Sequence, residues 1–119
     1  MSEVTRDSIF SKAAEPHFAN VHVPAWGGSV RVYSMTVGER DAFDRKTLKL
    51  KRKNPEEVRL RERLLIACVR DSNGVRLFSD ADEAALSQVP AAHLERPVTV
   101  ALTINGFIRD ETAEDDEGN

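Results

Sequence analysis

The stretch Val21-His-Val-Pro-Ala-Trp-Gly-Gly-Ser-Val-Arg-Val-Tyr-Ser-Met35 decides the fold class. Val21 and Val23 alternate with polar residues, Val30 and Val32 do so again, and Gly27-Gly28 lies between them. Successive side chains of a strand point to opposite faces, so two alternating runs around a glycine turn predict a β-hairpin with one apolar face. Trp26 falls at the turn, where its ring can cover the open end. A two-stranded hairpin cannot bury its own apolar face, and the chain beyond Met35 reads mostly as helix. The predicted class is therefore α+β, an N-terminal β-hairpin followed by a small bundle of about four helices.

Working outward, Thr36-Val-Gly-Glu39 has the capping-box pattern, a hydroxyl for one exposed N–H and a Glu three residues on to reach back. A helix is expected from here, carrying Phe43 and Leu48 inward and fading near Lys51. Asn54-Pro55-Glu56-Glu57 reads as a second start, with Asn as N-cap and Pro in the first turn. Val58, Leu65 and Val69 come after it at helical spacings, and the run from Leu64 to Val69 is apolar on all sides, which places it at the centre of the core. Asp71-Ser-Asn-Gly74 predicts a turn, Val75 to Phe78 a short extended piece, and Ser79-Asp-Ala-Asp82 the start of a short helix through Leu86. Pro90 is placed as the first residue of a last helix, with Ala91, Leu94, Val98 and Ala101 on one face and Asn105-Gly106 closing it. That segment has a rival, because Val98-Thr-Val-Ala-Leu-Thr-Ile104 alternates and is β-branched, and Pro97 removes a hydrogen bond from a helix. The local pattern leaves helix and strand both open.

The flanks read differently. Residues 1–20 have weak periodicity and contain Pro16, and are expected to form a loosely ordered arm. Residues 110–119 carry six acidic side chains, no basic one and only Ala113 as an apolar residue, so a disordered acidic tail is expected there. Between them, 21–109 form the expected single α+β domain; 119 residues suit one hydrophobic core. No apolar run approaches the roughly 18 residues a membrane span needs, and residues 1–12 have no basic start followed by an apolar stretch, so neither span nor secretory signal is expected. One cysteine, Cys68, makes no internal disulfide, which fits a reducing cytoplasm. The formal charge of −3 hides an asymmetry: setting the six tail carboxylates aside leaves 17 basic residues against 14 acidic. Residues 45–63 hold nine Lys or Arg and three Glu.

The residues that could carry chemistry are scattered. His17, His22 and His93 lie far apart with no second ligand type at a metal-like spacing. Cys68 sits in the apolar run Leu65-Ile-Ala-Cys-Val69, where a thiol is a small hydrophobe rather than a nucleophile. Asp80/Asp82 and Glu56/Glu57 fall at expected helix starts, where they serve exposed N–H groups and the dipole. Gly27-Gly28 precedes a strand, so it does not aim a helix N-terminus at a phosphate. No catalytic, cofactor or metal site is assigned, and the chain is expected not to be an enzyme. The basic stretch 45–63 contains no aromatic platform, which favours a solvated helix surface, then a protein-facing one, over nucleic acid.

The order of motifs is informative. A hairpin reading Val-Pro-Ala-Trp-Gly-Gly-Ser-Val-Arg-Val leads into Met-Thr-Val-Gly-Glu-Arg-Asp-Ala-Phe. Then come Leu-Leu-Ile-Ala-Cys-Val-Arg-Asp-Ser-Asn-Gly-Val-Arg-Leu-Phe-Ser-Asp-Ala-Asp, a final Leu-Thr-Ile-Asn-Gly-Phe and a charged tail. This resembles the tail assembly chaperones of long-tailed bacteriophages and prophages. The resemblance covers residues 21–107 and is most specific over 71–82, where the acidic turn, Gly74, Leu77-Phe78 and Ser79-Asp80 occur in the family's order. Pro97 and the β-branched run beside it depart from the Ala- and Leu-rich helix of the family, whose pattern nonetheless favours helix there. The resemblance implies a non-catalytic chaperone in the host bacterial cytoplasm, absent from the mature virion. Its implied partners are the phage tape-measure protein and the tail-tube protein, with self-association possible and no membrane; a second, frameshifted product is common in the family. The rival readings are a structural head–tail connector or tail completion protein, and a small nucleic-acid-binding regulator using residues 45–63.

Overall fold

The computed structural model describes residues 3–108. The expected hairpin is present: β1 (Phe18–Val23) pairs antiparallel with β2 (Gly28–Tyr33), with Val21 opposite Val30 and Val23 opposite Gly28. A single 3-10 turn, Pro24–Trp26, joins them, and Gly27 comes next at φ 77°, a left-handed conformation that glycine adopts without a Cβ penalty. Val21, Val23 and Val32 are buried, and Trp26 packs half-buried against the core from the hairpin's end.

The expected loose arm before the hairpin holds a helix. Residues 6–13 form α1 (Arg6–Ala13), in which Thr5 and Ser8 satisfy each other's backbone, and β1 starts at Phe18, three residues before the expected domain edge. None of the α1 residues is buried. The expected acidic tail lies outside the described residues.

α2 (Val37–Lys53) begins at the expected capping box: Thr36 Oγ1 accepts from Glu39 N at 3.1 Å and Glu39 Oε1 accepts from Thr36 N at 2.9 Å. Phe43 is its one buried residue. Leu48, expected inward, is 49% exposed. Five residues of helix turn the chain by about 140° from Phe43, whereas half-buried Leu50, seven residues on, returns to nearly the same face. The second helix start is displaced. Pro55–Glu57 form a 3-10 turn that Asn54 does not cap, Val58 is extended, and α3 (Leu60–Cys68) begins three residues after that turn. Burial of Leu64, Leu65, Ile66 and Cys68 sets the phase of α3, and the local signal at Asn54-Pro55 yields to it.

Val69, at helical spacing from Leu65, does not continue that helix. It opens β3 (Val69–Arg70), which pairs antiparallel with β2, so the hairpin becomes a three-stranded sheet of order β1-β2-β3. Val69 still donates its N–H to Leu65 O and lies opposite Val32, closing helix and sheet on one residue. Asp71 closes the expected turn: its Oδ1 accepts from Asn73 N at 2.8 Å and Val75 N at 3.0 Å, and Gly74 takes φ 79°. The extended piece after it touches the sheet through one bridge, Arg70 to Arg76. A capping box of Ser79 and Asp82 then starts a 3-10 turn, Asp80–Asp82, that runs into α4 (Glu83–Leu86).

The open choice at residues 98–104 resolves as helix. α5 (Ala91–Ile104) contains Pro97, which supplies no N–H to the carbonyl four residues back but is itself fully buried, so its ring serves as core surface. Leu94, Val98 and Ala101 are buried as expected, while Ala91 is exposed. α5 packs across β1, β2 and α3, giving a core of sheet on one side and helices on the other. At its end Gly106 N donates to Thr103 O and Phe107 N to Leu102 O, the paired bonds of a Schellman motif closed by Gly106 at φ 76°.

The side chain of Asn105 ties these elements together. Its Oδ1 accepts from Met35 N at 2.7 Å, beyond β2, while its Nδ2 donates to Ala101 O at 2.9 Å and approaches Tyr33 O at 3.5 Å. Asn105→Ala leaves the Met35 N–H without that acceptor, so urea unfolding should lose about 1–3 kcal/mol with an unchanged denaturant slope. A loss below about 0.5 kcal/mol would show that water replaces the amide.

Candidate interaction surfaces

The fold keeps the chemistry-bearing residues apart. His22 is exposed on the outer face of β1, His17 precedes that strand, and His93 lies half-buried in the first turn of α5. Among the described residues no three His, Cys, Asp or Glu side chains gather as a metal would require. Asp82 works in the Ser79 capping box, accepting from Ser79 N at 2.8 Å. Asp80 is exposed and bonds Lys46 Nζ at 3.0 Å; that hydrogen bond and charge hold its carboxyl below the usual range. Glu56 and Glu57 are exposed in the 3-10 turn.

Cys68 ends α3 fully buried. Removal from water raises its thiol to about 11, against a smaller opposing effect from Asn105 Nδ2, which donates to Sγ at 3.5 Å. Such a group stays a thiol at neutral pH and is a poor nucleophile.

Eight of the nine basic residues in 45–63 are exposed; Arg63 is not. It is 6% exposed, with its guanidinium carbon 5.4 Å from the Phe43 ring centroid. Nη2 reaches Thr47 Oγ1 at 3.4 Å and Nη1 reaches Glu83 at 3.9 Å. The outward side of α2 carries Arg45, Lys49, Arg52 and Lys53 at helical spacing, and among the described residues no carboxylate lies within ion-pair distance of these four.

Two further surfaces emerge only in three dimensions. On the outer face of the sheet, Phe18 and Tyr33 stack at 4.9 Å between Arg31, 4.2 Å over Phe18, and Arg70, 4.9 Å from Tyr33. The alternation that buries Val32 already places Arg31 and Tyr33 to either side of it in the strand; Phe18 escapes the pattern because the alternating run is clear only from Val21. The other surface is α1, which presents Ile9 and Phe10 at 53% and 61% exposure, with Val4 beside its start.

No family model, curated protein or solved structure matches the chain. Among the described residues no helix is long and apolar enough to cross a membrane.

The thiol makes a signed prediction. Its folded value lies above the unfolded one of about 9, so its contribution to stability is whole below pH 9 and is lost as pH rises toward 11. Relative to Cys68→Ala, the native chain should lose roughly 2 kcal/mol between pH 8.5 and 10.5. A constant difference across that interval, or rapid native labelling by a thiol reagent at pH 8, would contradict the buried, protonated thiol.

Proposed function

We propose that this chain is a non-catalytic tail assembly chaperone of a long-tailed phage or prophage. In this reading it binds the tape-measure protein, keeps it soluble, and helps recruit tail-tube subunits. The observation that carries the binding half of the reading is α1, a capped helix with no buried residue that holds Ile9 and Phe10 in solvent. Exposed apolar side chains on a helix suit docking against another helix, where their burial is worth about 1.5–3 kcal/mol each. The family is suggested by the order of motifs over residues 21–107. A long helical partner with repeated apolar faces aggregates unless they are covered, and many copies of a small charged domain could cover them. Weak single contacts then add to a strong total attachment.

The test is co-expression of the tape-measure protein encoded beside this chain, with and without it. Soluble tape-measure protein should rise and co-purify with several copies of the chain. Ile9→Asp with Phe10→Asp should leave circular dichroism and melting unchanged, since neither residue is buried, yet reduce the co-purified amount roughly ten-fold. A partner that stays insoluble with nothing bound, even with any frameshifted product supplied, rejects the chaperone reading and advances the head–tail connector.

A further inference from the structure

Between α2, the Pro55–Glu57 turn and α3 runs a cleft of about 330 Å³, lined by Lys46, Lys53, Arg59 and Arg63 against Glu57 and Glu83. Four cations thus line it against two carboxylates; Lys46 is held from outside by Asp80 at 3.0 Å, while the pairing of the two arginines is loose. Arg59 and Arg63 approach Glu83 only at 3.9 Å, and the best hydrogen bond of Arg63 is the 3.4 Å contact to Thr47. Arg63 is almost wholly buried, and its Nε has no acceptor among the described residues. A buried guanidinium with one N–H unmet and its charge weakly paired favours the approach of further anionic acceptors.

A source of such acceptors lies close by in the same chain. Residues 110–117 carry Asp110, Glu111, Glu114, Asp115, Asp116 and Glu117 and no cation. They come soon after Phe107, whose ring packs edge-on to Phe43 at 6.2 Å, and Arg63 lies 5.4 Å from the same Phe43 ring. Two such steps put Arg63 within about 12 Å of Phe107. Residues 109–117 can extend to about 30 Å, while a helix with its side chains is about 10–12 Å across. The length of the segment therefore exceeds the distance from Phe107 to the cleft.

We propose that this cleft is a binding site for carboxylate-rich peptide, and that its occupant in the free protein is the segment 110–117 of the same chain. So short a tether sets an effective concentration in the millimolar range, which favours this segment over acidic peptides free in solution. An acidic peptide binding in the cleft then competes with it. The proposal rests on the cleft and the charge pattern, not on the chaperone reading.

The experiment uses the full chain and a full-length variant in which the six carboxylates are neutralised (Asp110→Asn, Glu111→Gln, Glu114→Gln, Asp115→Asn, Asp116→Asn and Glu117→Gln). The probe is a fluorescent synthetic peptide with the sequence of residues 110–117. At about 50 mM salt, where screening is weak, the neutralised chain should bind it roughly ten-fold more tightly than the unmodified chain, whose site is occupied. Adding Lys53→Ala and Arg59→Ala to the neutralised chain should weaken binding roughly five-fold with unchanged circular dichroism, because both side chains are exposed. Amide NMR shifts between the unmodified and neutralised chains should centre on Lys46, Lys53, Arg59 and Arg63 and persist on ten-fold dilution. Equal affinities, or shifts centred on the Phe18–Tyr33 face, overturn the proposal. Shifts that vanish on dilution overturn it in favour of a neighbouring copy's segment. Duplex DNA that outcompetes the peptide near 150 mM salt overturns it in favour of a phosphate surface.

Discussion

Everything in this molecule is arranged around a backbone that must change from helix to strand inside the core. Leu64, Leu65, Ile66, Cys68 and Val69 are all buried, so the chain cannot leave α3 through a solvated loop. A buried backbone group without a partner costs about as much as a lost hydrogen bond, so the change of structure has to occur with its N–H and C=O groups engaged. The solution is local. Val69 donates to Leu65 O, the last helical bond, and its own carbonyl accepts from Leu77 N at 3.3 Å. Pairing of Val69 with Val32 and of Arg70 with Arg31 then joins the helix to the hairpin. A third strand only two residues long is what this requires, and it holds α3 against β2 while α5 closes the other side.

The polar groups left at the edges of that arrangement explain the places of three side chains. Asn105 can accept at Oδ1 and donate from Nδ2, and it uses both capacities on the end of β2 and the end of α5. Arg40 adds to the same corner, with Nη1 donating to Asn105 O at 3.0 Å and its guanidinium 3.8 Å from the Phe107 ring centroid. Arg70 plays the matching part at the far edge of the sheet, donating to Gly74 O, pairing with Glu39 at 3.6 Å and lying over Tyr33. Planar cations suit such places because one face can stack while the rim donates.

The parts of this fold legible in the sequence are those decided by neighbours in the chain. The hairpin, the capping boxes at Thr36 and Ser79, and the turn at Gly74 all depend on residues close to one another in the chain. The departures share a different cause. Asn54-Pro55 carries a sound local start signal, yet the helix phase is set by burial of Leu64 and Leu65 several residues later. Val69 has helical spacing from Leu65, yet its partner Val32 lies far away in the chain. Leu48 is the exception, since helix phase counted from Phe43 already points it outward. Of the candidate surfaces, the basic stretch is legible as charge, but burial of Arg63 depends on Phe43 and Glu83, which the sequence does not place beside it. The arginine–aromatic row on the sheet is hidden for the same reason, since it takes three strands to assemble.

The surface divides into regions governed by different forces. α1 is connected to the body through residues 14–17, where Ser34 N bonds His17 O at 2.9 Å, so apolar contacts made by Ile9 and Phe10 put no strain on the core. Their energy is area removed from water, and moderate salt changes it little. The α2–α3 face is the opposite case: exposed cations in high dielectric, worth little singly and screened within about 10 Å at 0.1 M salt. A contact on the first face would contribute holding energy, whereas one on the second would contribute steering. Arg63 is where the two regimes meet, because it is the one cation of the basic stretch that burial protects from screening.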